Sequence, residues 1–286
     1  MVAGSPPATP PRQVAFTFDD VPGVHYGDCT PGNLRRLNSD LVAAIVRNRI
    51  PATGLVVDRN NCAGQSLQSL YEMWLDAGIE LGNHTASHRD FNRTPLAEYE
   101  ADTIAGEATL RPLLEKRDKK LRYFRFPMLH TGTDLTKKRA FEKFLDDRKY
   151  TNAVVSIDND DYLYAIAYMK ASDVERKRIA RDYVAYMDRI FAFYEKLSLD
   201  TLGYELPQVL LLHDSRLNAD TLDALVAMVR ARGYTIVPLE KALGDPAYRR
   251  RDAYVGAKGL SWLHRWALDD GKSAPEQPPV DSYIQS

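Results

Sequence analysis

Short apolar runs alternate with longer segments of helical periodicity along most of this chain. Residues 14–18, VAFTF, form an apolar and β-branched run that is typical of a strand buried on both faces. By contrast, apolar side chains within 65–78 recur at the i, i+3, i+4 spacing of an amphipathic helix, which Gly78 ends. The same reasoning predicts strands at 53–57, 79–83, 121–126, 152–157, 208–212 and 234–238. It predicts helices at 34–47, 96–116, 135–147 and 219–232.

The order of these elements indicates the fold. Strands that alternate with helices pair in parallel, and seven of them without the glycine signature of a dinucleotide-binding sheet favour a TIM-barrel-like α/β fold. Residues 163–200 are predicted to form a helical insertion between strands 5 and 6, with a break near Ser172. The expected organisation is a flexible segment 1–11, one domain over 12–245, and an extension 246–286 that packs on the outside, with 274–286 disordered.

Charge and hydropathy exclude several classes of protein. The chain has 38 basic and 39 acidic residues, a net charge of −1, and this balance argues against binding to nucleic acid. No run approaches the roughly 18 apolar residues of a membrane span. The first residues, MVAGSPPATPPR, lack the features of a signal peptide but resemble the spacer that follows one, although an arbitrary chain start would look the same. We expect a secreted or periplasmic protein.

The two cysteines, Cys29 and Cys62, follow the first and second predicted strands. Both could therefore lie in loops at one end of the sheet. A disulfide and two unpaired thiols both stay open, because the sequence does not give the Cα separation that bridging requires.

Polar side chains cluster at the ends of five predicted strands, in the segments DD, GNHTASH, RFP, DNDDY and HDS. Asp19 and Asp20 are adjacent carboxylates, so they need water, hydrogen bonds or a cation to offset their repulsion. His84 and His88 would point the same way on one helical turn, and with one carboxylate they form a set that binds a divalent ion. An H-x-x-x-H pair alone is weak evidence, but its place at a strand end strengthens it.

The segments TFDD, HTASH, RFP, DNDDY and LLH, in this order, resemble the five motifs of the polysaccharide deacetylases, carbohydrate esterase family 4 with the NodB homology domain. The resemblance spans about residues 12–240. It implies a distorted (β/α)7–8 barrel and metal-dependent removal of acetyl groups from a polysaccharide or oligosaccharide. The substrate would be an N-acetylglucosamine polymer such as chitin or peptidoglycan, or acetylated xylan.

The first three motifs imply a metal site and a base. By resemblance, Asp20, His84 and His88 would bind the metal, and Asp19 would be the general base. Zinc suits two imidazoles and one carboxylate best, although cobalt or nickel would also fit. Arg125 would hold the base ionised and oriented through a charge-assisted hydrogen bond. Taken without the resemblance, an arginine in a loop is a solvated charge.

The remaining motifs imply an acid and a substrate wall. His213 would be the general acid, with Asp161 orienting it and keeping it cationic, although a histidine there could also cap the next helix. The backbone N–H of Met128 would help to stabilise the oxyanion. Leu211 would line the pocket for the acetyl methyl group, and Tyr162 stands near the expected substrate wall.

Departures from the family pattern concern the substrate. Val21 and Pro22 follow the aspartate pair where glycine and proline are common, Tyr162 stands where tryptophan is frequent, and Met128 replaces a common aromatic residue. Two other classes stay open: a related barrel hydrolase acting on a small non-carbohydrate amide or cyclic ureide, and a binding module without turnover. The presence of every expected catalytic residue argues against the inactive module.

Overall fold

The computed structural model describes residues 12–23, 30–58 and 67–285. Cys29 and Cys62 lie outside these ranges, as does the segment 1–11, so the disulfide and the flexible N-terminal segment stay predictions from the sequence.

Seven strands pair in parallel as predicted, but the fifth, predicted at 152–157, overlaps the observed strand only at Asn152. They are β1 (Arg12–Val21), β2 (Thr53–Val56), β3 (Glu80–Asn83), β4 (Tyr123–Phe124), β5 (Thr151–Asn152), β6 (Gln208–His213) and β7 (Tyr234–Ile236). The order across the sheet is β5-β4-β3-β2-β1-β6, and β7 pairs with the first residues of β1. Parallel strands place their carboxyl ends at the same edge, so the polar segments that follow them meet there.

The sheet curls until the chain after β5 meets β6. The amide of Ser156 donates to Val209 O at 3.1 Å, and the amide of Leu211 donates to Ile157 O at 3.1 Å. A bridge between Ile157 and Leu210 completes this contact. The predicted distorted barrel is therefore confirmed.

The helices cover the outside of the barrel. They are α1 (Pro31–Arg47), α2 (Gln68–Asp76), α3 (Leu96–Ala105), α4 (Glu107–Glu115), α5 (Leu135–Asp147), α6 (Asp161–Lys170), α7 (Asp173–Leu202), α8 (Arg216–Ala231), α9 (Leu239–Leu243) and α10 (Trp262–Asp269). None of the described helices is long and apolar enough to cross a membrane.

One predicted helix, at 96–116, is two helices separated by Gly106. A Cβ at this glycine would lie 2.5 Å from Asn83 Oδ1 and 3.0 Å from the backbone carbon of Thr85. Only glycine allows the helix to approach the end of β3 so closely.

The alternation of side chains along β1 separates two apolar regions. Val14, Phe16 and Phe18 are fully buried and pack toward the helices, as in the edge-to-face contact of Phe18 with Trp74 at 6.1 Å. The opposite face contributes to a small interior cluster made of Ala15, Leu55, Tyr123, Ala153, Val209, Val237, Leu239 and Ala242. Because side chains alternate along a strand, Thr17 and Asp19 continue this inner face above the cluster.

The predicted helical insertion consists of α6 and α7, which break where the sequence indicated. Ser172 caps α7 and forms a reciprocal capping box with Glu175. The Tyr186 hydroxyl of α7 accepts a hydrogen bond from the amide of Asp160 at 3.0 Å. The insertion thus supports the loop that follows β5.

The C-terminal extension differs from the prediction. Six of the eight residues of helix α10 are buried, and the amide of Trp262 donates to Val155 O at 2.8 Å. Residues 274–285 are ordered rather than disordered, because Val280 and Ile284 bury their side chains in the main core. Composition alone indicated disorder, and these two apolar anchors outweigh the polar residues around them.

Candidate active site

A cavity of about 310 Å³ opens at the carboxyl ends of β1, β3 and β6. Eight of the ten residues singled out in the sequence line it, and the other two, Arg125 and Asp161, are buried behind its wall. The eight are Asp19, Asp20, His84, His88, Met128, Tyr162, Leu211 and His213. The fold therefore brings together residues that are separated by almost 200 positions in the chain.

Asp19 and Asp20 reach the same cavity although neighbours in a strand normally point to opposite faces. Asp20 has a positive φ of 62°, and the pairing of β1 with β2 is irregular between Phe18 and Val21. This backbone turn brings the second carboxylate around to the side of the first. Both side chains are almost completely buried.

His84 and His88 converge through an irregular loop, not through the helical turn that the sequence analysis assumed. Thr85 and His88 have positive φ values of 67° and 55°. The amide of His88 donates to Thr85 Oγ1 at 3.0 Å, and the amide of Thr85 donates to Asn83 Oδ1 at 2.8 Å. These bonds hold the loop so that the imidazole centroids lie 5.0 Å apart.

Asp20, His84 and His88 offer three ligand atoms within 4.8 Å of one another. Asp20 Oδ1 lies 3.3 Å from His88 Nε2 and 3.7 Å from His84 Nε2. On the other side of the His84 ring, Nδ1 lies 2.9 Å from the backbone oxygen of Arg125, which orients the ring so that Nε2 faces Asp20. Two neutral imidazoles and one carboxylate fit a divalent transition metal.

Asp19 lies beside this set and is held by Arg125. Arg125 Nη1 donates to Asp19 Oδ1 at 2.5 Å and to Thr17 Oγ1 at 2.8 Å, and Nε donates to Ala153 O at 2.7 Å. The arginine is 1% exposed, so its charge is balanced by the Asp19 carboxylate and not by solvent. Asp19 Oδ2 lies 3.6 Å from His84 Nε2 and so faces the cavity.

His213 faces the cavity from β6 with Asp161 behind it. His213 Nδ1 and Asp161 Oδ1 are 2.6 Å apart, and Asp161 Oδ2 accepts from the His213 amide at 2.9 Å and from Asn218 Nδ2 at 2.8 Å. Burial disfavours the imidazolium, but the charge and hydrogen bond of Asp161, with the charges of Asp20 and Asp19, outweigh it and raise the His213 pKa to about 10. These carboxylates therefore favour the cationic form of the ring.

The three residues predicted to contact substrate all lie at the cavity. Met128 is 44% exposed and has a positive φ of 56° within the short 3-10 helix Pro127–Leu129. Leu211 is buried in the wall, and Tyr162 is exposed at the rim, with its ring edge-to-face against that of His213 at 6.3 Å.

Sequence reasoning missed several lining residues, among them Asp158, Asn159 and Gly259. The Asp158 pKa is raised to about 7, first because the carboxyl group is removed from bulk water and second because Asp160 and Asp161 are negatively charged. Asp158 lies in the DNDDY segment, where a closer reading could have found it. Gly259 has no local signal, because it reaches the cavity only through the packing of the C-terminal extension.

The fold and the site define a (β/α) barrel with a two-histidine, one-carboxylate centre at the ends of its strands. Residues 7–142 match the family model described as polysaccharide deacetylase, a range that contains Asp19, Asp20, His84, His88 and Arg125. Residues 7–142 thus carry the match to the polysaccharide deacetylase family, and the resemblance inferred from the motifs is confirmed there.

Solved structures share the fold at low sequence identity. BA3943 from Bacillus anthracis, described as a CE4 family pseudoenzyme, matches with a TM-score of 0.53 and 15% identity over 82% of this chain and 66% of that one. A BA3943 mutant with restored enzymatic activity matches with a TM-score of 0.53 and 16% identity over 82% and 68%. The Bc1960 peptidoglycan N-acetylglucosamine deacetylase matches with a TM-score of 0.51 and 17% identity over 80% and 87%. The chain thus spans about two thirds of BA3943 and most of Bc1960.

Proposed function

We propose that this protein is a metal-dependent hydrolase that removes acetyl groups from an acetylated polysaccharide or oligosaccharide. The observation that carries the proposal is the arrangement within one cavity: Asp20, His84 and His88 form a ligand set, and both Asp19 and His213, whose pKa is raised, line the same cavity. A base and an acid that share one cavity with a metal set suit hydrolysis of an acetyl amide or ester.

Asp20, His84 and His88 would hold the ion, with zinc as our first choice and cobalt or nickel as alternatives. When bound, such an ion lowers the pKa of water from 15.7 toward about 7 and polarises a carbonyl oxygen. Asp19 would take up the proton that this hydrolysis releases, as the general base. Arg125 fixes the orientation of that carboxylate.

His213 would donate a proton to the leaving nitrogen or oxygen. Its raised pKa keeps it protonated before the bond breaks, and Asp161 holds the ring in place from behind. The backbone N–H of Met128 would donate to the oxyanion, a contact worth on the order of 3 kcal/mol in comparable sites. Loss of acetate then leaves the free amine or hydroxyl on the sugar.

The substrate proposal rests on the family and on the apolar and aromatic parts of the wall. Leu211 would receive the acetyl methyl group, and Tyr162 at the rim would contact a sugar ring. Chitin, peptidoglycan and acetylated xylan are the polymers we propose, and the first two carry the N-acetylglucosamine named for Bc1960. Such polymers lie outside the cytoplasm, which agrees with a secreted or periplasmic protein.

The test is acetate release from chitin oligomers, peptidoglycan and acetylated xylan, measured after chelation and again after zinc, cobalt or nickel is added. We expect metal-dependent release from one or more of these polymers. A small N-acetyl amide and a cyclic ureide, assayed in parallel, distinguish the small-molecule hydrolase. A protein that binds zinc yet hydrolyses none of these compounds would contradict the proposal and would resemble the pseudoenzyme BA3943 in activity as well as in fold.

A further inference from the structure

The turn that carries the proposed oxyanion donor has an uncommon backbone conformation. Met128 and Leu129 both have positive φ, 56° and 53°. Residues other than glycine adopt this conformation rarely, and they keep it where surrounding contacts fix it. The contacts that hold this turn therefore set the direction of the Met128 amide.

Arg265, on helix α10 of the C-terminal extension, supplies the strongest of these contacts. Arg265 Nη2 donates to Leu129 O at 2.6 Å, and Nη1 donates to Thr131 Oγ1 at 2.8 Å. The two bonds hold both ends of the segment 129–131. A planar guanidinium can make them together because its donors have fixed directions.

The backbone of Gly259 packs directly on the same turn. A Cβ placed on this glycine would lie 1.9 Å from Met128 O and 3.2 Å from the Leu129 Cβ. No side chain fits in that space, so the extension meets the turn backbone to backbone. Gly259 also lines the cavity.

Arg265 is itself held rigidly. It is fully buried, its Nε donates to Leu260 O at 2.9 Å, and its Nη1 donates to Asp252 Oδ2 at 2.8 Å. The same Asp252 oxygen lies 2.6 Å from Lys138 Nζ, on α5 of the barrel. A buried arginine with this many partners is a fixed support, not a mobile surface charge.

We infer that Arg265 is a positioning residue for the reaction, and that Gly259 and Arg265 together hold the 127–131 turn so that the Met128 amide faces the reacting group. The inference rests on the proposed deacetylase function for its catalytic part. Its structural part, that the C-terminal extension fixes the turn, does not depend on that function. Both residues lie outside the family match over 7–142.

Two variants test the inference. Gly259→Ala adds a methyl group against Met128 O, and Arg265→Lys keeps the charge near Asp252 but cannot make both turn contacts. Gly32→Ala is the control, because a Cβ there meets nothing within 4 Å. We expect kcat to fall about 10- to 100-fold in both test variants, below the roughly 1,000-fold of complete donor loss, with KM within about twofold. Zinc affinity by calorimetry should not change, because the three ligands are untouched.

A second readout does not require activity. Met128 is one of six methionines, so methyl-labelled NMR can follow its side chain separately from the others. We expect the Met128 signal to shift or broaden in both test variants and to stay in place in Gly32→Ala. If Arg265→Lys does not fold, Gly259→Ala decides alone.

An unchanged Met128 signal in the folded test variants would overturn the inference, as would a changed signal with wild-type kcat. A loss of zinc affinity equal to the loss of kcat would also overturn it, because that indicates general damage. If the wild-type protein proves inactive, the proposed function fails, and the NMR experiment still decides whether the extension holds the turn.

Discussion

Two adjacent aspartates illustrate how backbone conformation assigns different chemistry to identical side chains. Asp19 continues the inner face of β1 and meets Arg125, whereas the positive φ of Asp20 directs its carboxylate to the two histidines. Neither difference is visible in the sequence DD. The proposed roles, general base for Asp19 and metal ligand for Asp20, rest on these different partners.

Substitution of each aspartate by asparagine should separate these roles. Asp19→Asn should retain metal and lose about 100- to 10,000-fold in kcat, because it removes a general base. Asp20→Asn should weaken zinc binding by more than the roughly 10- to 100-fold seen when a supporting group is lost. Zinc titration and acetate release check both. Equal metal content with retained turnover in Asp19→Asn would show that the roles are reversed.

If His213 is the general acid, its loss should affect substrates differently according to whether their leaving group needs a proton. His213→Ala should lose more activity on an acetyl amide than on a nitrophenyl acetate, because an amine needs a proton to leave and a nitrophenolate does not. Metal content should be retained. Equal losses on the two substrates would mean that His213 positions the substrate and that the acid lies elsewhere.

The pH dependence follows from the raised pKa of His213. Activity should be lost as pH rises through the folded-state pKa, which is about 10 without metal and lower with a cation beside Asp20. Asp161→Asn removes the charge that most favours the protonated ring. The high-pH limb of the pH–rate profile should therefore move to lower pH. The same group contributes stability that is complete below pH 6.5 and is lost as pH rises from there toward 10. A limb that does not move in Asp161→Asn would contradict this assignment.

At the scale of elements, a chain of hydrogen bonds connects the long helix α7 to Asp161 and His213. The Tyr183 hydroxyl donates to Asn218 Oδ1 at 2.8 Å, and Asn218 Nδ2 donates to Asp161 Oδ2 at 2.8 Å and to His213 O at 2.8 Å. The helical insertion thus fixes which way the Asn218 amide points, and with it one partner of Asp161.

Tyr183→Phe should loosen this chain. We expect a loss of about 1–3 kcal/mol in the free energy of unfolding, because Asn218 Oδ1 stays buried without a donor, and a several-fold fall in kcat. Tyr168→Phe is the matched control, since that hydroxyl donates to Asp220 Oδ2 at 2.9 Å instead. Chemical denaturation and acetate release measure the two effects. Equal falls in kcat for both variants would contradict a specific role for Tyr183.

The local sequence pattern was sufficient to predict most helices and strands, but it did not predict the contacts between them. Six of the seven strands coincide with the predicted apolar runs, and the predicted break near Ser172 is where a capping box begins α7. The split at Gly106 was missed because its cause is a distant contact with Asn83. Likewise, the histidine loop is not a helix, since Thr85 and Asn83 fix its backbone through hydrogen bonds that spacing does not reveal.

At the scale of the whole molecule, the ligand set joins two separate parts of the barrel, the end of β1 and the loop after β3. An unfolded chain does not hold these residues together, so a metal that binds there stabilises the native state by mass action. The interior cluster below the site is apolar and packed, which leaves the polar upper end as the place for chemistry.

Zinc should therefore raise the unfolding temperature, by an amount that corresponds to about 2.7 kcal/mol when free zinc is 100 times its Kd. Chelation should reverse the shift. Asp20→Asn should abolish it, whereas Asp90→Asn, which removes a carboxylate 2.8 Å from His130, should not. A zinc-dependent shift of equal size in Asp20→Asn would place the binding site elsewhere.

The arrangement of the C-terminal extension has a consequence for biosynthesis. Chains emerge from the ribosome N-terminus first, at about 5–20 residues per second. The last proposed metal ligand, His88, emerges early, but the turn at 127–131 gains its support from Gly259 and Arg265 only near the end of translation. The 127–131 turn is therefore the last part of the cavity wall to gain its support, long after every proposed metal ligand is present in the chain.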